Sequence, residues 1–136
     1  MKLIDVFNFS HEPIELLEMR LRIVYPHVDL ICINENAVTY TGIEREMQFE
    51  KYKERLAPFM DKIVHRVIDV RERNIGDWKN FKQEYHTNRW KVHPVRPATA
   101  TLPERWQRSM YGRDCLIESP LEVASDEDII IQSDLD

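Results

Sequence analysis

Strand-like and helix-like segments alternate along this chain, and that order constrains its fold more than any other feature. Lys2–Phe9 (KLIDVFNF) alternates and carries β-branched and aromatic residues, so it reads as a strand that begins at once. Ser10 is placed to cap the helix that follows. Pro13 falls in its first turn, and Glu12 and Glu15 suit its positive end. Ile14, Leu17, Leu21 and Val24 then share one helical face, and Pro26 stops the helix. Val28–Ile33 (VDLICI) is nearly all apolar, as a strand covered on both faces should be. Glu44–Pro58 reads as loop and then short helix, and Lys62–Val70 (KIVHRVIDV) as a third strand. Gly76–Trp90 reads as a short helix, residues 91–103 with their prolines as loop, and Pro103–Glu118 as a helix with Trp106, Met110 and Leu116 inward. Asp128–Ser133 (DIIIQS) is the fourth strand. Such an alternation predicts an α/β fold, a mostly parallel sheet with helices on both faces.

The 136 residues suffice for a single domain with one real core. No apolar run approaches the roughly 18 residues that cross a bilayer, and Met-Lys-Leu-Ile-Asp turns polar too soon for a secretory signal. The chain as given therefore reads as cytoplasmic, or as cut free of any anchor. Cys32 lies within an apolar run and reads as a small buried hydrophobe, in keeping with a reducing compartment. The net charge of −5 argues against a nucleic-acid binder. The charge is uneven, because residues 71–102 hold seven basic residues against three acidic ones, a balance of +4 that leaves −9 elsewhere. A basic, proline-containing stretch of this kind suits an anionic ligand and suits a solvated loop equally well. The five histidines show no zinc spacing, and three glycines cannot build a phosphate-cradling loop.

Ligands of parallel sheets bind outside the carboxyl ends of the strands. Those ends are Asn8–His11, Asn34–Asn36, Asp69–Arg71 and Ser133–Asp136, and three of the four carry carboxylates. Asp134 and Asp136 are two apart at the end of an apolar strand, and in extended chain residues i and i+2 point to one side. Two carboxylates so placed suit a hard cation, which takes oxygen ligands and bridges to phosphates. The spacing alone is common. With ten Asp in the chain about one such pair is expected by chance, and Asp126-x-Asp128 is a second copy. Asp126 precedes a strand, where surface turns lie, whereas Asp134 follows one. A frayed acidic terminus accounts for the same spacing.

Several segments together resemble glycosyltransferase family 17, the β-1,4-mannosyl-glycoprotein 4-β-N-acetylglucosaminyltransferase family. They are Ile4-Asp5-Val6-Phe7 through Glu12 and Leu16–Leu21, Val28-Asp29 through Asn34-Glu35, and Thr39-Tyr40-Thr41-Gly42. Further on come Pro58–Ile63, Trp106-Gln107-Arg108 with Arg113-Asp114, and Asp128–Asp136. The resemblance spans nearly the whole chain except about residues 71–102. It implies a GT-A-type (Rossmann-like) fold, a divalent metal (manganese or magnesium), a UDP-sugar donor, and transfer of N-acetylglucosamine or a related sugar to a glycan acceptor. On this resemblance the donor meets Asn8, Glu12, Glu35, Asp69, Arg108, Arg113 and Asp134, while Asp134 and Asp136 hold the metal. Glu35 and Asp69 suit ribose or uracil hydroxyl and N–H groups, and equally the capping of a helix or loop. Arg108 and Arg113 suit a diphosphate, and equally a surface ion pair with Asp114 or Glu104.

The chain departs from the family pattern at Ser109 and Gly112. It stops at Asp136, where the family typically continues Glu-Ile-Pro, so the expectation is a domain truncated after its metal-motif strand. The acceptor-binding half and any catalytic base would lie beyond residue 136, and the isolated chain is expected not to transfer sugar at a useful rate. Two other functions fit the same pattern: a non-catalytic module that holds a nucleotide or phosphate, and an inactive truncated remnant.

Overall fold

Residues 1–39, 41–69, 109, 112–113 and 115–135 are described in the computed structural model of the chain. Four strands form one sheet: β1 (Leu3–Phe9), β2 (Leu30–Asn36), β3 (Ile63–Ile68) and β4 (Ile129–Gln132), in the order β3-β2-β1-β4. All three pairings are parallel, with Asn8 opposite Asn34, Glu35 opposite Val67, and Val6 opposite Gln132. The expected α/β architecture is therefore present, with every carboxyl end on one edge.

Alternation along β1 and β2 builds two cores. Phe7, Phe9, Ile31 and Ile33 face helix α1 (Ile14–Val24), which turns Ile14, Leu17 and Leu21 onto them. Burying an aliphatic side chain of this size contributes about 1.5–3 kcal/mol. The same core takes Phe49 from the one-turn helix α2 (Gln48–Lys51), Leu56 from α3 (Lys53–Leu56), and Phe59 from the 3-10 segment Ala57–Lys62. On the opposite face Ile4, Val6 and Cys32 pack against Leu116, with Val123 and Ala124 beside them. That cover comes from a 3-10 turn (Cys115–Ile117) and helix α4 (Glu118–Leu121). Cys32 is a free, fully buried thiol, and burial raises its pKa.

The entry to α1 differs from expectation. Pro13, not Ser10, occupies the N-cap position in an extended conformation, and no side chain caps the helix. Ser10 lies too early. Its N–H donates to Glu12 Oε2 at 2.8 Å, and its hydroxyl accepts from Asn36 Nδ2. The exit agrees: Tyr25–His27 tightens into a 3-10 turn at Pro26. Lys62 Nζ donates to the main-chain oxygens of Tyr25 and Val28, both at 2.9 Å, where a cation suits the negative helix end.

β2 also runs later than its apolar stretch, ending in Asn34-Glu35-Asn36, all fully buried. Polar residues can end a buried strand only if they find partners, and these draw them from distant segments. Gly42, with φ 89°, turns the chain after β2 where a Cβ would clash. The turn is closed by Gly42 N–H to the Thr39 oxygen at 2.8 Å and Ile43 N–H to Thr39 Oγ1 at 3.0 Å. The expected helix over Gly76–Trp90, the basic stretch 71–102 and most of Pro103–Glu118 lie outside the described residues. Leu116, expected to point inward, is buried.

Candidate functional site

From β1 the chain steps outward to β2 and then β3, and returns to add β4 on the other flank of β1. The order reverses between β1 and β4, and a crevice opens outside the carboxyl ends of the strands at such a reversal. The residues that follow those two strands are Ser10 and His11 on one side, and Ser133, Asp134 and Leu135 on the other.

The end of β4 is tied down at successive residues. Ser133 N–H extends the ladder to the Val6 oxygen at 3.2 Å. Leu135 is buried in the α1-side core. Between them Asp134 sends its side chain out, 64% exposed. Arg20 of α1 reaches this strap. Its Nη2 donates to both Asp5 carboxylate oxygens at 3.0 Å and to Ser133 Oγ at 2.5 Å, and its Nη1 donates to the Asp134 main-chain oxygen at 2.8 Å. The guanidinium also lies 4.4 Å from the centre of the Phe7 ring. Burial pushes the Asp5 carboxyl above its ordinary range, against the pull of Arg20. Arg113 Nη2 meets Asp134 Oδ2 at 3.3 Å, so two of the expected ligand-binding residues come together; Glu104 and Asp114, the expected ion-pair partners, lie outside the described residues.

Asn8 stands on the opposite face of β1 from Phe7, in line with Asn34 across the β1–β2 pairing. Asn34 Nδ2 donates to the Cys115 oxygen at 3.2 Å. The amide oxygens of Asn8, Asn34 and Asn36 are buried without a hydrogen-bond partner. An orphaned polar atom costs about 1–3 kcal/mol, so this row calls for N–H or O–H donors.

Glu35 has a different role. It is fully buried, and its carboxylate accepts from Gln48 N–H at 2.6 Å, from Phe49 N–H at 3.3 Å and from His65 Nε2 at 3.0 Å, with Arg45 at 3.9 Å. It closes the positive start of α2 from across the fold. The His65 ring, stacked on Phe49 at 3.9 Å, completes the cluster. Of the two roles open to Glu35, the structure realises helix capping. Glu12 folds back onto Ser10 N–H. Asp69 follows β3, half-buried. Asp128 of the second acidic pair accepts Lys2 N–H at 2.6 Å and Ser125 N–H at 2.8 Å, a surface turn whose backbone donors lower its pKa. Arg108 and Asp136 lie outside the described residues.

Asn8, Asn34, Asn36 and Ser133 fall in the strand ends that the sequence marks, whereas Arg20 escapes a reading by sequence period. Arg20 did carry a signal: it falls three residues after Leu17 and one before Leu21, at the border of the buried face. Among the described residues no cluster of three His, Cys, Asp or Glu side chains could hold a cation by protein groups alone. The exposed Asp134 carboxylate, with one oxygen at Arg113, fits a cation that shares its shell with ligand phosphates and water.

The family model for Glycosyltransferase family 17 matches residues 1–103. It runs through residues 71–102, which the resemblance did not cover, and stops before the acidic end of β4. Searches of the curated proteins and of the solved structures found no match. The match takes in β1, α1, β2, α2, α3 and β3, the greater part of the sheet and its α1-side core. The chain belongs to glycosyltransferase family 17.

Proposed function

We propose that this domain has a GT-A-type fold and binds a UDP-sugar in the crevice between β1 and β4. A divalent cation, manganese or magnesium, would be held there by Asp134 and Asp136, and the sugar, N-acetylglucosamine, would pass to a glycan acceptor. The observation that supports this most is the place of Asp134. An exposed carboxylate on a fixed strap stands where the strand order reverses, in a chain of a glycosyltransferase family.

The bound cation supplies charge to the leaving diphosphate, whose negative charge grows as the glycosidic bond breaks. The chain's own residues bind and orient. Asp134 offers oxygen to the cation, and Arg113, already at its side, offers a guanidinium to the diphosphate. Asn8, with a carbonyl oxygen lacking a donor, suits a ribose hydroxyl or a base N–H.

Calorimetry of UDP binding with and without manganese tests this reading. Manganese should tighten UDP, and UDP should tighten manganese by the same factor. Asp134→Ala should abolish the mutual gain. UDP binding that is indifferent to metal, or a metal effect that survives Asp134→Ala, would overturn the assignment.

A further inference from the structure

We propose that Arg20 is a positioning residue for the cation site: from the opposite side of the chain it fixes the backbone that presents Asp134. This role rests on the reading of Asp134 as a cation ligand. Arg20 differs from the other arginines of its helix region. Arg22 is 69% exposed and Arg55 41%, whereas the Arg20 side chain is 16% exposed and its partner Asp5 only 4%. Its Nη groups are committed to Asp5, Ser133 Oγ and the Asp134 main-chain oxygen, and its face to Phe7.

The consequence follows from strand geometry. In extended chain, neighbours point to opposite sides. Ser133 and Leu135 are held on the α1 side, one by Arg20 and the other by the core, so the side chain between them must leave toward the crevice. The Asp134 carbonyl, gripped at 2.8 Å, removes the remaining freedom of the strap. Asp5 acts through Arg20, anchoring the guanidinium to the middle of β1. A lysine could satisfy Asp5 but not reach a carboxylate, a hydroxyl and a carbonyl at once, since only guanidinium offers a planar fork. Residues that orient metal ligands without touching the metal typically change affinity by about 10–100-fold.

The experiment uses the full chain with Arg20→Lys, the milder Ser133→Ala, and Ile14→Val as a control that loosens α1 through the core at a residue that makes none of the strap's hydrogen bonds. Two quantities are read: amide hydrogen exchange at residues 133–135, and the gain in UDP affinity on adding manganese. Arg20→Lys should speed exchange at the strap and cut the manganese gain by on the order of tenfold. Ser133→Ala should do both more weakly, and Ile14→Val should leave the manganese gain unchanged. Exchange that stays at the wild-type rate in Arg20→Lys overturns the clamp. Faster exchange with an undiminished manganese gain overturns the positioning role alone, as does an equal loss in Ile14→Val. A wild-type chain that ignores manganese overturns the functional reading, and the role of Arg20 toward a cation with it.

Discussion

Glu35 and Asp134 are both carboxylates at the carboxyl end of a parallel strand, on the same edge of the same sheet, and the fold uses them in opposite ways. Glu35 ends an interior strand, flanked by β1 and β3, and is fully buried with backbone N–H groups and a histidine at its oxygens. Asp134 follows the flanking strand β4 and keeps 64% of its side chain in solvent, with Arg113 at 3.3 Å. A place at a strand's carboxyl end thus does not by itself set what an acid does; burial and the partners at its oxygens differ between the two. What decides is whether a following segment folds back with donors. After β2 the chain returns as α2 and supplies two N–H groups, whereas the end of β4 is gripped through its backbone, which leaves the carboxylate exposed beside Arg113.

The sharpest way to break this contrast is to remove the buried acid. Glu35→Ala strands the α2 N–H groups, His65 and Arg45 without their acceptor, and the loss of one partner from a buried ionic cluster costs about 3 kcal/mol or more. Urea denaturation should register that loss, whereas Asp134→Ala should leave stability nearly unchanged. A Glu35→Ala chain as stable as wild type would mean that the cluster is not structural.

The contrast also marks where sequence reasoning reaches its limit. The element order, the parallel sheet and the shared edge were legible because apolar period is local: Ile14, Leu17 and Leu21 fall on one helix face whatever else the chain does. The buried tail of β2 was not, because its partners are remote. The Asn34 amide N–H donates to the Cys115 oxygen, 81 residues on, that of Asn36 to Ser10, 26 residues back, and Glu35 accepts from residues 13 and 14 positions later. Polar residues at Asn34-Glu35-Asn36 read as a strand's end, and it is distant partners, acceptors for the two asparagines and donors for Glu35, that let the strand continue. Ser10 was misread for a related reason. A serine ahead of a helix suggests a cap, but Pro13 already sets the extended N-cap conformation and Asn36 claims the hydroxyl.

Asp5 lies between the two extremes, buried like Glu35 but with Arg20 rather than backbone N–H groups at its oxygens, and its pH dependence sharpens the comparison. Burial raises its pKa above 3.8 more than Arg20 lowers it. Folded chain then binds more protons at Asp5 than unfolded chain does. The ionised form therefore costs stability above the folded pKa, and this cost disappears as pH falls through that pKa toward 3.8. Asp5→Asn, which retains a hydrogen-bond acceptor for Arg20, should be at least as stable as wild type at pH 7, and its advantage should shrink on acidification. Denaturation midpoints of the two chains across the acid range check this. An advantage that grows toward low pH would show that Arg20 outweighs burial.

The smallest effect on stability, and the most informative for the open acid, concerns Arg113. Its contact with Asp134 joins two largely exposed side chains, and such pairs contribute about 0–1 kcal/mol, so Arg113→Ala should shift stability by no more than about 0.5 kcal/mol. Binding should respond in two directions. Without UDP, the guanidinium competes with a cation for the Asp134 carboxylate. Its removal should strengthen manganese binding by less than about fivefold, the factor matching about 1 kcal/mol. With UDP present, the same guanidinium is free to pair with the diphosphate, and its removal should weaken the ternary complex. The sign thus changes with the nucleotide, as no purely structural role for Arg113 would predict. Calorimetric titration of manganese into the wild-type and Arg113→Ala chains, with and without UDP, measures both arms. If the substitution moves both arms in one direction, Arg113 does not pass from the acid to the diphosphate, and Asp134 would have to be reached by a cation from another side.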